Sequence, residues 1–492
     1  MKFVISLLFA FSSFMSVSAA TVAQSDEYYT CSVSLQGSIS EETGKAQRAY
    51  LWIPDGCSHV KAVILAQQNM TEETIFKMPS FRNRLKEMGV ALAWVAPWFS
   101  RNWDPQTNCQ QVFELMMNSL ATESGHQELS TAPIIPFGHS AQATFPWNFA
   151  AWNPTRTLCI ISFHGDAPRT NLCGYGKANI EWGRNRNIDG IPGLMLEGEY
   201  EWWEARVNPA LAFRMMYPES CISFLCDTGR GHFDCSERTA NYIALFIKKA
   251  IQQRLCADGT LRKVDVRNGW LAERFSPDLP ANDGDGKDKT CFHSAAKRPS
   301  PAPYAQYKGD RHDAFWYFDR EMAQLTENRY AETHGKRLQY VGFEQQGKLV
   351  PYNIKLQGGM MADFIPDADG ITFRLKPVYT DSTHCALSSI HGTGKLHIDV
   401  ISGPIKKIDD TTFRLYPYEA GTDNLQRVCS AWLVAVGEGD GRYKGAVQAI
   451  KIRIPEKFII NINKCRMRFI TFALKICRVS MPGALLLTVT SR

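Results

Sequence analysis

The chain has no CxxC pair, although it carries 14 cysteines. Zinc ribbons and thioredoxin-like redox motifs need that spacing and are excluded. Spaced histidines are lacking too. His384, His391 and His397 stand seven and six residues apart, intervals that no common metal site uses. No metal and no cofactor is expected. After the N-terminus no stretch holds the roughly 18 uninterrupted apolar residues of a membrane span. The C-terminal tail comes nearest, and Lys475 and Arg478 break it. Most of the chain also lacks a charge excess. The formal net charge is +6, from 55 Lys+Arg against 49 Asp+Glu. Residues 464–492 contain Lys464, Arg466, Arg468, Lys475, Arg478 and Arg492 and no carboxylate, so everything before them is neutral. A neutral body gives nucleic acid no electrostatic footing.

What is present is a globular composition, 45% hydrophobic and 21% charged, over 492 residues, a length that suits two domains. Met1-Lys2, the apolar run Phe3 to Val17 and the small residues Ser18-Ala19-Ala20 read as a secretory signal peptide over 1–20. The protein is therefore expected to be secreted or periplasmic. All the cysteines follow that segment, and an oxidising compartment permits disulfides, with the pairing left open. Cys159 and Cys221 lie in apolar runs and are expected as small buried hydrophobes.

Residues 26–258 alternate strand and helix signals. Apolar runs occur at Ala49–Ile53, Val60–Ala66, Ala91–Pro97, Ile134–Phe137, Leu158–Phe163, Gly193–Leu196 and Cys221–Cys226. Helical spacing occurs over 107–121 and again after Ser236. This alternation predicts an α/β domain with a mainly parallel sheet, whose functional groups collect at the strands' carboxyl ends. Residues 259–335 read as a linker, rich in Pro, Asp, Gly and Ser, with a helical connection near 313–331. Over 336–462 the period becomes two, as in Ile371, Phe373 and Leu375 or Ile450, Ile452 and Ile454, which predicts an all-β, sandwich-like domain. Asp367-Ala368-Asp369-Gly370 serves there as a turn. The segment Thr372-Phe373-Arg374-Leu375 is echoed by Thr412-Phe413-Arg414-Leu415. Residues 463–492 are an atypical basic tail.

The chemistry centres on Ile134-Ile135-Pro136-Phe137-Gly138-His139-Ser140-Ala141-Gln142-Ala143, a strand running into a helix with serine at the junction. A serine hydroxyl is a poor nucleophile unless it protrudes from a sharp bend within reach of a base. Downstream come Glu197-Gly198-Glu199-Tyr200-Glu201 after one apolar run and Gly231-His232 after the next. The set resembles the nucleophile elbow and the Ser, acid, His chain order of the α/β-hydrolases over about residues 29–256. Gln142 stands where the G-x-S-x-G pattern has glycine.

The resemblance implies an α/β-hydrolase fold with Ser140 as nucleophile, His232 as base and Glu201 as acid. The neighbouring carboxylates Glu197, Glu199 and Glu204 are expected on a solvated face, and Asp227 is a rival acid. It implies an oxyanion hole from the backbone N–H of Ala141 and, from the loop after the third core strand, that of Gln68, with Asn69 next. Trp98, Phe99, Trp103, Trp147, Trp182, Trp202 and Trp203 fall in the loops around the mouth. Of these Trp98, Trp202 and Trp203, together with Asn69, are the substrate-binding candidates. Flat aromatic faces suit sugar or aryl groups. The insert 165–190, with Arg169, Arg184 and Arg186, lies where lids form. The expected reaction is hydrolysis of a small-molecule or polysaccharide ester, acetyl or feruloyl, through an acyl-serine. A serine peptidase on the same triad, and a non-catalytic polysaccharide-binding protein with a degenerate hydrolase core, are the alternatives.

Overall fold

The structure, a computed structural model, describes residues 29–39, 44, 46–69, 71–104, 106–168, 182, 188–201, 204–275, 298–333, 336, 340–349, 358–362, 372–380, 395–402, 405–415 and 430–453. The expected signal peptide, the basic tail, Trp202, Trp203, the three insert arginines, His384, His391 and the turn expected at Asp367–Gly370 lie outside them. The chain divides into two compact units, the break falling between Lys336 and Arg337. Among the described residues no helix is long and apolar enough to cross a membrane.

The first unit is built on eight strands, β1 (Cys31–Ile39), β2 (Ala46–Trp52), β3 (Ala62–Gln67), β4 (Val90–Ala96), β5 (Ile134–His139), β6 (Ile160–Phe163), β7 (Pro192–Gly198) and β8 (Cys221–Asp227). They lie in the order β1-β2-β4-β3-β5-β6-β7-β8. β3 to β8 run parallel, and β1 and β2 pair antiparallel at one edge. The apolar runs behind these strands are continuous because both faces of the sheet are covered. Val63, Leu65, Ala91, Ala93 and Val95 share a buried cluster with Val112, Phe113, Met116 and Leu120 of α3 (Cys109–Ser124) and with Phe145 and Phe149 of α4 (Phe145–Trp152). The alternate residues Ile64 and Leu92 are equally buried. α1 (Glu72–Lys77), α2 (Pro79–Met88), α5 (Glu204–Met216) and α6 (Glu237–Arg254) complete the helices of this part. Cys159 and Cys221 are fully buried, and burial pushes both thiols far up from their usual value.

The strand order fixes where a site can form. From β3 the chain steps outward to β4 and then returns past β3 to β5. The loops leaving β3 and β5 therefore diverge and leave a crevice at their carboxyl ends. Asn69 follows β3, and Ser140 follows β5.

The described part of 259–335, expected as a linker with a helical connection, holds a small sheet as well as a helix. Trp270–Glu273, Ala302–Pro303 and Ala314–Tyr317 form a three-stranded antiparallel sheet, and Arg320–Thr333 is a helix. The small sheet is anchored on β8 and the helix on α6. The Tyr317 hydroxyl donates to the Phe224 carbonyl at 2.7 Å, Phe315 stacks on Phe224 at 4.8 Å, and Tyr242 shares a 2.6 Å hydrogen bond with Thr326. The segment Ala314-Phe315-Trp316-Tyr317-Phe318 is apolar and fully buried, which an exposed linker would not tolerate.

The second unit is all-β among the described residues. Three small sheets, of three, four and three strands, are mainly antiparallel and share one core that includes Phe343, Phe373, Phe413, Leu433 and Ile450. One pair, Gly358–Ala362 with Ala446–Arg453, is parallel. The two echoed segments are partners. Thr372–Arg374 pairs antiparallel with Thr412–Leu415, and Phe373 faces Phe413 across the ladder.

Candidate active site

β5 ends in an abrupt turn. His139 is extended, and Ser140 that follows has φ 53, the left-handed region that a non-glycine residue rarely occupies. A short 3₁₀ turn, Ser140–Gln142, then leads to α4. Two glycines make room. A β-carbon on Gly138 would lie 2.0 Å from the Gln142 carbonyl oxygen, and one on Gly165 would lie 1.9 Å from the Ala143 β-carbon. Gln142 is buried, and its backbone takes the space left by Gly138. Ser140 itself stays half-exposed.

Three loops converge on this serine. His232 Nε2 lies 2.6 Å from Ser140 Oγ, and His232 Nδ1 is hydrogen-bonded to Glu201 Oε2. Glu201 sits in a turn directly after β7 and also accepts the Gly198 N–H at 3.2 Å. Its burial would raise the carboxyl pKa. The charges of His232 and His164 and the hydrogen bonds from both outweigh this and hold it well below the usual carboxylate range. Asp227, the rival acid, is engaged elsewhere, with Arg329 at 3.1 Å and Thr239 at 2.5 Å.

Glu197 and Glu199 are not solvated. Glu199 is buried and accepts the Gly229 N–H at 2.8 Å, which anchors the start of the histidine loop. Glu197 is fully buried at the end of β7, 3.8 Å from Arg206. The same guanidinium stands 3.7 Å from Asp166 and 3.7 Å from Glu201. The expectation failed because β7 extends through Gly198, which buries Glu197 beside Arg206, and the turn after it buries Glu199 against the Gly229 N–H. The side chain of Glu204 is outside the description.

Two histidines that the motif search did not single out complete the cluster. His139 is fully buried. Its Nε2–H donates to the His232 carbonyl at 2.8 Å, and its own carbonyl accepts the Asn69 side-chain amide at 2.7 Å. Its backbone N–H donates to Glu72 at 2.9 Å. Burial, then the nearby His232 and His164, push its pKa well down, so the ring is a neutral donor. His164 follows β6 with φ 48 and is hydrogen-bonded through Nδ1 to Glu201 Oε1. The available signal was its place in Phe163-His164-Gly165, at the carboxyl end of an expected strand.

One oxyanion donor needs correction. The backbone N–H of Gln68 is taken by the Val95 carbonyl at 2.7 Å, because the β3–β4 pairing continues one bond past the expected strand end. Asn69, next along, is half-exposed, and Ala141 opens the turn after Ser140. Among the aromatics, Trp103 and Trp147 are core residues. Trp103 packs on Phe113, Phe145, Phe149 and Trp152, and Trp147 Nε1 donates to the Asp166 carbonyl at 2.7 Å. Trp98, stacked under Arg101, stays half-exposed with Phe99 and Trp182.

His164, Glu201 and His232 bring one ligand-type atom each within 4.8 Å of one another. Ligands sharing one zinc ion at about 2.0–2.1 Å would stand roughly 3.3 Å apart. Here both imidazole Nδ1 atoms touch the carboxylate at hydrogen-bond range, an arrangement for sharing protons.

No protein-family model matches the chain, and no curated protein matches it. Solved structures do. Est1E from Butyrivibrio proteoclasticus is similar at 16% identity over 45% of this chain and 99% of its own, with a TM-score of 0.29. A siderophore hydrolase, EstA from Aspergillus nidulans, is similar at 11% over 44% of this chain and 93% of its own, with a TM-score of 0.33. The S-formylglutathione hydrolase FrmB from Staphylococcus aureus is similar at 14% over 45% and 98%, with a TM-score of 0.31. The fold assignment itself rests on the strand order and on the turn at Ser140. By those two features the N-terminal unit has the α/β-hydrolase fold.

Proposed function

We propose that the first unit is a serine hydrolase that cleaves a carboxylic ester through an acyl-Ser140 intermediate. The observation that carries this reading is the continuous chain Ser140 Oγ, His232 Nε2, His232 Nδ1, Glu201, set at the mouth of the switch-point crevice. Ser140 Oγ attacks the ester carbon as its proton passes to His232 Nε2. The negative charge that develops on the carbonyl oxygen is met by the backbone N–H groups of Ala141 and Asn69. His232 then hands the proton to the departing alcohol oxygen, leaving the acyl group on Ser140. Water, deprotonated by the same nitrogen, attacks the acyl carbon; the bond from that carbon to Oγ breaks, His232 returns the proton to Ser140 Oγ, and the carboxylic acid departs. Glu201 holds the imidazole tautomer and stabilises the imidazolium.

A carbohydrate-linked substrate and export belong to the same proposal. The half-exposed Trp98, Phe99 and Trp182 favour a flat sugar or aryl group, and the N-terminal segment favours export. The turn at Ser140 and the His232 contact, both kept beside Gln142, favour this reading over a degenerate core.

The test is labelling by a fluorophosphonate with Ser140→Ala as control, followed by panels of acetyl and feruloyl sugar esters and of peptides. Labelling and ester turnover that vanish with Ser140→Ala, by roughly a million-fold in kcat, are expected. Equal labelling of both proteins, or of neither, would sink the assignment. Turnover of peptides alone would replace esterase by peptidase.

A further inference from the structure

We propose that His164 is a positioning residue for Glu201, anchoring one carboxylate oxygen so that the other stays aimed at His232; this rests on the triad proposed above. The torsion that turns a carboxylate about its last bond is soft. A carboxylate tied through one oxygen can therefore swing. Glu201 is tied through both. Oε1 receives the His164 Nδ1–H and the Gly198 N–H, and Oε2 receives the His232 Nδ1–H.

His164 is poorly explained as packing. It occupies the left-handed region at φ 48, which a non-glycine residue keeps only where surrounding contacts hold it there. It is fully buried, its ring standing edge-on to Phe163 at 4.3 Å. Its Nε2 has no hydrogen-bond partner among the described residues. An apolar side chain would fill that volume without leaving a dry nitrogen. What the imidazole adds is the Nδ1–H on Glu201. The titratable and charged groups around the pair are His139 on β5, its ring 5.9 Å away, and His232 after β8, at 6.1 Å. Arg206 on α5 faces the carboxylate and is itself faced by Asp166 and Glu197.

The donated bond draws on the carboxylate and so tempers its pull on the His232 imidazolium. Removing it leaves Oε1 to the Gly198 N–H alone, so that the Glu201 carboxylate turns more readily and, when in place, is a stronger partner for the protonated base. Two effects follow together. Turnover falls, and the acid limb of the rate profile moves to higher pH.

The experiment uses the full chain, p-nitrophenyl acetate as probe, and the variants His164→Ala and His164→Asn. The asparagine amide stands near the position of Nδ1 and tolerates a left-handed backbone. His164→Ala is expected to lose about tenfold or more in kcat with KM little changed, and to shift the acid limb of kcat/KM upward. His164→Asn is expected to retain most of the rate and the wild-type limb. An alanine variant with wild-type kcat and limb overturns the proposal, as does an asparagine variant no better than alanine. A folding defect in the variants leaves proton NMR of the wild type, where two downfield imidazole Nδ1–H signals are expected on Glu201. A single such signal overturns the proposal. An inert wild type, or Ser140→Ala with full activity, defeats the esterase reading, while the NMR result still reports on the His164–Glu201 bond.

Discussion

The protonation of Glu201 and of His139 is set by what each touches. Glu201 stays ionised through the working range because two imidazoles outweigh its burial. Glu201→Gln would present an amide to His232 and favour the wrong tautomer. Its kcat is expected to fall about 10⁴-fold with KM little altered, as measured by steady-state ester hydrolysis. A retained rate would mean that another carboxylate serves His232. Asn69→Ala removes the amide that holds the His139 carbonyl and so loosens the turn before Ser140. It should cost more in kcat than in thermal stability. Ser140, Glu201 and His232 were legible because chain order and strand ends constrain them jointly. His164 and His139 were not, since their partners lie 37 and 93 residues away and no local pattern announces such contacts. The Gln68 assignment failed for a related reason, because one extra ladder bond decides whether that N–H is available.

The elbow depends on size matching between elements. Gly165 follows β6 by two residues, and its missing side chain is where the Ala143 methyl sits. Gly165→Ala is expected to destabilise by about 1–3 kcal/mol and to displace the serine turn. Ala143→Gly in the same chain should restore most of the loss, as read by urea denaturation and ester turnover. Absence of rescue would mean that the clash is relieved elsewhere. Strands β3 to β8 were legible as apolar runs because parallel strands buried on both faces carry few polar residues. β1 was not, since it is an edge strand in which only Leu35 is fully buried. The short α1 and α2 meet at Met78-Pro79, which interrupts any helical period. The echoed segments of the second unit showed their likeness in sequence, but not that they pair with one another.

For the molecule as a whole, the limit of the first unit matters most. A fragment ending at 258 would expose Phe224 and leave Asp227 without Arg329. One spanning 29–336 keeps both contacts. The longer fragment is expected to melt cooperatively and hydrolyse ester, and the shorter to do neither. Circular dichroism and a turnover assay decide this. The Asp227–Arg329 pair also gives the unit a pH signature. Burial would raise the Asp227 pKa, but Arg329 and its neighbours bring it down to about 2. A carboxyl depressed on folding contributes stability that is complete above its unfolded value, about 3.9, and is lost as pH falls toward the folded one. Asp227→Asn should flatten the stability profile across that window. At neutral pH it should also cost about 3–5 kcal/mol in urea unfolding, because Arg329 is left buried without its charge partner.

Arg329 also donates to the Arg238 carbonyl at 2.8 Å, just beyond the loop that carries His232. One guanidinium therefore fastens the helix Arg320–Thr333 to both ends of the segment that carries His232, the last residue of β8 and the first turn of α6. In deuterium-uptake measurements their amides should behave as one cooperative opening unit, slower to exchange than a surface helix of this length would be alone.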